Sequence, residues 1–278
     1  MCGIFGIINY SNEKRYMAEL DHIKEMTANL LSIAQERGTD ASGICLVTLN
    51  KRAVVYKAHI PGKGLPTSFG YIDLMQHLTF KTNFRCLFGH TRAKTKGTKY
   101  KNVNNHPIVA DRVIGVHNGM ISNDDDLFNI NKDMERAGKV DSEVIFRLIN
   151  KFVRDGVSLS RAVRYTTKAI LGSYACAFIH LDRPTYLTLF AGRYSDLVIH
   201  NFQREKMMIF ASTDKIIDKA AEEVNTFKNP SNKLDVGKNT GIRINMVNGK
   251  LYTFELDNTL LPQSNVSHMG FPPGCVLQ

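Results

Sequence analysis

The chain has 278 residues, 43% of them hydrophobic, which suffices for one large domain or two small ones with a proper core and argues against disorder. Its longest apolar runs, such as Tyr174 to Ile179, fall far short of the ~20 residues that cross a bilayer, and Met1 to Tyr10 lacks the basic start and core of a secretion signal, so a soluble cytoplasmic protein is expected. A formal net charge of +10 admits an acidic partner, a phosphorylated substrate or nucleic acid; with no zinc finger, RNA-binding aromatic motif or recognition helix, nucleic acid stays open without being favoured.

In chain order, Gly3 to Asn9 reads as a buried strand. Leu20, Ile23, Leu30 and Ala34 then recur at helical intervals, and Gly38 can end that helix. Ile44 to Leu49 and Ala53 to His59 are β-rich and flank a polar Asn50-Lys51-Arg52 turn, as in a hairpin. Strands are predicted at Arg85 to His90 and Val113 to His117. Ser142 to Val153 places Val144, Ile145, Leu148, Ile149, Phe152 and Val153 on one stripe, which predicts an amphipathic helix, and a second is predicted at Leu159 to Leu171. Four strands follow, at Tyr174 to His180, Thr185 to Phe190, Leu197 to His200 and Met207 to Ala211, and the Asn248-Gly249 turn predicts a final hairpin. Strands, two helices and more strands favour an α+β fold with mostly antiparallel sheets. The segment 257–278, with Pro262, Pro272 and Pro273, reads as a tail, leaving 2–256 as one domain.

The cysteines at 2, 45, 86, 176 and 275 are odd in number and lack C-x-x-C spacing, which excludes a disulfide framework as the leading reading. Cys45, Cys86 and Cys176 sit in apolar strands as small core residues. Cys2 is different. If Met1 is removed, one residue carries both a thiol and an α-amine with a pKa of about 8, that is, a nucleophile and its own base. An incidental buried cysteine is the competing reading of that residue taken alone.

Five further stretches accompany "CGIFGI": "RGTDASG" at Arg37 to Gly43, "GHTRAKTKG" at Gly89 to Gly97, "NNHP" at Asn104 to Pro107, "VHNGMISN" at Val116 to Asn123 and "DSE" at Asp141 to Glu143. In this order they resemble the glutaminase domain of class II glutamine amidotransferases, a family of N-terminal-nucleophile hydrolases, over residues 2 to 215 and on to the hairpin near 256. The resemblance implies a four-layer αββα sandwich of two antiparallel sheets. It implies that Cys2 attacks the side-chain amide of L-glutamine, releases ammonia and leaves a glutamyl thioester for water to hydrolyse. Asn118 and Gly119 would form the oxyanion hole, although Asn-Gly is also a common turn pair. Arg92 would hold the substrate carboxylate, Asp141 its ammonium and Thr95 would assist; Asp141 could also cap the helix after it. Arg37 and Asp40 would brace the nucleophile strand, with His90 and His117 in support.

His90, His106 and His117 invite a metal reading, but no carboxylate or cysteine ligand set accompanies them, so neither metal nor cofactor is expected. Two departures from the family stand out. Ala93 follows the "HTR" arginine where sugar-phosphate members carry a bulky aromatic, and the loop after it is basic, either simply solvated or docking an acidic group. About 60 residues after 215 also leave little room for an ammonia-using domain. The expectation is therefore a stand-alone glutaminase that supplies ammonia to an acceptor enzyme on another chain, with an amidase for another amide or a silent binding module as rivals. Cys275 to Gln278 has the C-a-a-X form and Asn265-Val266-Ser267 the glycosylation form, and neither is expected to be used.

Overall fold

The computed structural model describes residues 2–48, 52–79, 84–192, 194–195, 197–227, 229–237 and 239–256. The first half runs β1 (Gly3–Asn9), α1 (Met17–Ala34), β2 (Ala41–Thr48), β3 (Ala53–Ala58), α2 (Phe69–Gln76) and β4 (Phe84–Arg92). β5 (Ile108–Ala110), β6 (Val113–Ile121), α3 (Asp124–Ile130), α4 (Glu143–Arg154) and α5 (Leu159–Ala169) follow. The chain continues through β7 (Gly172–His180), β8 (Tyr186–Ala191), β9 (Leu197–Phe202), β10 (Met207–Ala211), α6 (Asp214–Glu222), β11 (Asn232–Val236), β12 (Thr240–Asn245) and β13 (Leu251–Glu255).

The strands form two antiparallel sheets, one ordered β11-β9-β10-β1-β4-β2-β3 and the other β13-β12-β8-β7-β6-β5. Side-chain alternation along β1 explains why they stack. Ile4 and Ile8 enter the core between the sheets with Phe88, Val116 and Phe210, whereas Phe5 and Ile7 enter an outer core with α1 and α6. A third core joins the second sheet to α4 and α5 through Val144, Ile145, Leu148 and Phe178. The order of layers is thus helix, sheet, sheet, helix, the expected αββα sandwich. Every β1 side chain is buried, and each large apolar one contributes about 1.5–3 kcal/mol by leaving water.

Each strand and helix predicted from the sequence is present with ends shifted by a few residues. Gly38 does close the first helical stretch, but in extended conformation (φ −178) rather than the left-handed one. The Asn50 turn and the segment 257–278, with its C-a-a-X and glycosylation forms, lie outside the described residues. Among the described residues no helix is long and apolar enough to cross a membrane.

Candidate active site

The site begins at the centre of the first sheet, where β1 lies between β10 and β4. Cys2 immediately precedes this strand and is 8% exposed. Three contacts fix the start of β1: Arg37 Nε donates to the Cys2 carbonyl (2.8 Å), Ile4 N–H donates to Ser212 Oγ (2.9 Å), and Ser212 N–H donates to the Ile4 carbonyl (2.9 Å). Gly3 has no room for a side chain, since a Cβ there would lie 2.6 Å from both the Ala34 carbonyl and Thr91 Oγ1. The start of β1 is therefore held by Arg37 and by Ser212, which no motif marked.

Cys2 meets the second sheet through its nitrogen, which donates to Asn118 Oδ1 at 3.2 Å, while the Ala93 N–H donates to Sγ at 3.3 Å. Burial pushes the thiol pKa up; the Ala93 N–H and the charge of Arg92 pull it down, and Asp141 raises it further. Gly119, next to Asn118 on β6, has φ +143, and a Cβ there would lie 2.0 Å from the Ser173 carbonyl, so only glycine fits.

His90 and His117 clamp the two sheets beneath this junction. His90 Nε2 donates to the His117 carbonyl at 3.0 Å, His117 Nε2 donates to the Ser173 carbonyl at 3.3 Å, and His117 Nδ1 therefore accepts from Ser142 Oγ at 2.8 Å. The His90 ring also packs on His106, with centroids 4.1 Å apart. Burial lowers the pKa of all three, that of His90 to about 3. The unfolded chain binds a proton near pH 6.5 that folded His90 refuses, so stability falls as pH drops from about 6.5 toward about 3, by about 1.4 kcal/mol per pH unit. Urea unfolding at pH 5 is expected to show a loss of about 2 kcal/mol from His90 alone relative to pH 7. His90→Gln should reduce that slope by about 1.4 kcal/mol per pH unit, with His106 and His117 keeping the rest, and an unchanged slope would contradict the assignment.

Arg92, 2% exposed at the end of β4, donates from Nη1 to Asn105 Oδ1 (2.8 Å) and from Nη2 to the carbonyls of Lys96 (2.6 Å) and Gly97 (3.0 Å). A two-pronged grip that uses Nη2 requires these loop carbonyls to give way. Asp141 is 1% exposed and its Oδ2 accepts from the Ile121 N–H at 2.7 Å, so it ties to β6 rather than capping α4. Glu143, the first residue of α4, ties down the loop before the helix, its carboxylate accepting from the N–H groups of Ala137 and Gly138. Thr95 is exposed on the loop and makes no hydrogen bond among the described residues.

Asp40 braces that loop instead of β1: its carboxylate accepts from the Lys94 N–H (2.9 Å) and Lys99 Nζ (3.1 Å), contacts that lower its pKa. Lys96 pairs with Asp124 and Asp125. Much of the loop's positive charge is thus spent inside the molecule.

No protein-family model matches the chain. It is 33% identical to the glutamine–fructose-6-phosphate aminotransferase (isomerizing) of Geobacillus kaustophilus over 69% of this chain and 29% of that protein. It is 26% identical to the Helicobacter pylori protein of the same name over 92% of this chain and 39% of that protein. Among solved structures, a glutamine phosphoribosylpyrophosphate amidotransferase from B. subtilis superposes over 92% of this chain and 50% of its own, with a TM-score of 0.66 at 18% identity. The chain belongs to the class II glutamine amidotransferases.

This chain spans well under half the length of the curated amidotransferases it matches. Of the residues singled out in the sequence, the amidotransferase fold gathers Cys2, Asn118 and Gly119 at one junction, with Arg92 and Asp141 close enough for their charges to act on the thiol. Arg37, His90 and His117 support that junction, Asp40 supports the neighbouring loop, and Thr95 stands outside the buried group. Ser142, Ser212, Asn105 and the Ala93 backbone were not legible as site residues. Asn105 lay inside a motif without a role, and Ser212 is 208 residues from its partner Ile4.

Proposed function

We propose that this domain hydrolyses the side-chain amide of L-glutamine through Cys2 and delivers ammonia to an acceptor enzyme. The observation that carries the reading is the 3.2 Å contact between the Cys2 nitrogen and Asn118 Oδ1, which joins a thiol-bearing strand start to an Asn-Gly pair from the facing sheet. Removal of Met1 makes that nitrogen an α-amine, and a thiol whose pKa is raised by burial needs such a base at neutral pH.

The amine takes the thiol proton and sulfur bonds to the amide carbon. The carbonyl electron pair moves onto oxygen, where the Asn118 amide and the Gly119 N–H receive it. Collapse breaks the carbon–nitrogen bond as the ammonium returns its proton to the departing ammonia. Water, deprotonated by the same amine, then cleaves the thioester to give glutamate and restores the thiol. Arg92 and Asp141 supply opposite charges for the two ends of a zwitterionic amino acid, and Thr95 joins them when the loop closes on substrate. Among the described residues every element belongs to this one sandwich, so the acceptor lies outside them, and we place it on a partner enzyme.

The test is direct. Protein whose first residue is verified by mass as Cys2 is expected to turn glutamine into equal amounts of glutamate and ammonia, faster than it turns over asparagine or simple amides. When it is isolated with its natural partners, amide-labelled glutamine should pass label to the partner's product. No glutamine turnover in either preparation would sink the proposal.

A further inference from the structure

The bonds of the Arg92 guanidinium among the described residues go to three neutral oxygens: Asn105 Oδ1, the Lys96 carbonyl and the Gly97 carbonyl. These dipoles fix its plane and leave its charge unneutralised. Asp40 and Asp141 act on it only through space, and burial depresses its pKa. Of the three acceptors, Asn105 alone comes from a side chain, and it is fully buried.

Asn105 is itself held from three directions. Its Nδ2 donates to the Lys99 carbonyl (2.7 Å) and to Asn102 Oδ1 (3.2 Å), which fixes the amide so that Oδ1 faces the guanidinium. Its backbone carbonyl accepts from Lys57 Nζ at 2.7 Å, and the same ammonium holds the Pro107 carbonyl at 2.8 Å. Lys57 lies on β3 at the edge of the first sheet, so the loop carrying Asn105 is pinned to the framework that carries Cys2.

We infer that Asn105, anchored by Lys57, is a positioning residue that selects for a carboxylate-bearing substrate: it orients Arg92 with a neutral oxygen and so keeps the guanidinium's charge available. This rests on the glutamine reading above. A carboxylate at the same place would orient Arg92 at least as well, because charge-assisted hydrogen bonds are the stronger ones, but it would compete with the substrate's own carboxylate.

Asn105→Asp therefore separates selection from scaffolding. It keeps the shape and the bond to Arg92 Nη1. Like Asn105→Ala, it loses the two Nδ2 donors to the Lys99 carbonyl and Asn102 Oδ1, so a scaffold role lowers the melting temperature of both variants and leaves their KM for glutamine alike. Under the inference it is the more harmful of the two: KM for glutamine is expected to rise about tenfold or more in Asn105→Asp and a few-fold in Asn105→Ala, with kcat within about twofold of the parent in both. Steady-state kinetics of the full chain, with melting temperatures to establish folding, supply the readout. Asn105→Asp with a KM within about twofold of the parent, or a fall in kcat at constant KM, overturns the inference even if Asn105→Ala fails to fold. A parent protein that does not turn over glutamine overturns the glutamine reading and this inference with it.

Discussion

Cys2→Ala is expected to abolish glutamine hydrolysis while leaving the fold in place. The side chain lost is small: truncating a buried thiol to a methyl removes one heavy atom and should cost about 1 kcal/mol, a shift of a few degrees in melting temperature. The chemistry lost is everything, because among the described residues no other thiol is accessible. Cys45, Cys86 and Cys176 are buried and burial pushes their pKa values up, which makes them inert. Ammonia release and thermal unfolding, measured on one preparation, check both halves. Activity retained in the alanine variant would end the thioester mechanism.

The second large effect is expected at Gly119. Alanine there must place a methyl 2.0 Å from the Ser173 carbonyl at φ +143, so β6 has to shift against β7 or lose its pairing. Strain of this kind costs on the order of 1–3 kcal/mol from the dihedral alone, and the clash adds to it. Displacing one oxyanion donor lowers kcat by about 100- to 1,000-fold. Asn118→Ala provides the contrast, with a similar loss of kcat and a much smaller loss of stability. Urea midpoints and kcat for the two variants distinguish these outcomes, and a Gly119→Ala enzyme with parental kcat would show that the backbone here does no catalytic work.

What could be read from the sequence divides along physical lines. Long elements with one buried stripe were legible: α1 and α4 each present apolar residues at three- and four-residue intervals. α6 was not, because its buried residues Ile216, Ile217, Ala220 and Ala221 cover little more than one turn. α2 and α3 share that brevity, and β11 is a polar edge strand with little alternation to detect. The site followed the same division. Cys2, Asn118, Gly119, Arg92 and Asp141 lie in motifs whose residue types announce their chemistry. Asp40 carried the right type but the wrong attachment, since only the fold decides that its carboxylate meets the Lys94 N–H rather than β1. Ser212 and Lys57 touch the site by way of sheet neighbours, and pairing across a sheet leaves no local mark in a chain.

β1 is flanked by β10 on one side and β4 on the other, with all its side chains enclosed. Amides in such a strand exchange with deuterium only when the whole domain opens. The sulfur at its head is therefore tied to the slowest-exchanging part of the molecule, and fraying of the outer strands does not blur its aim. On heating, hydrolytic capacity and global structure should disappear together in one transition.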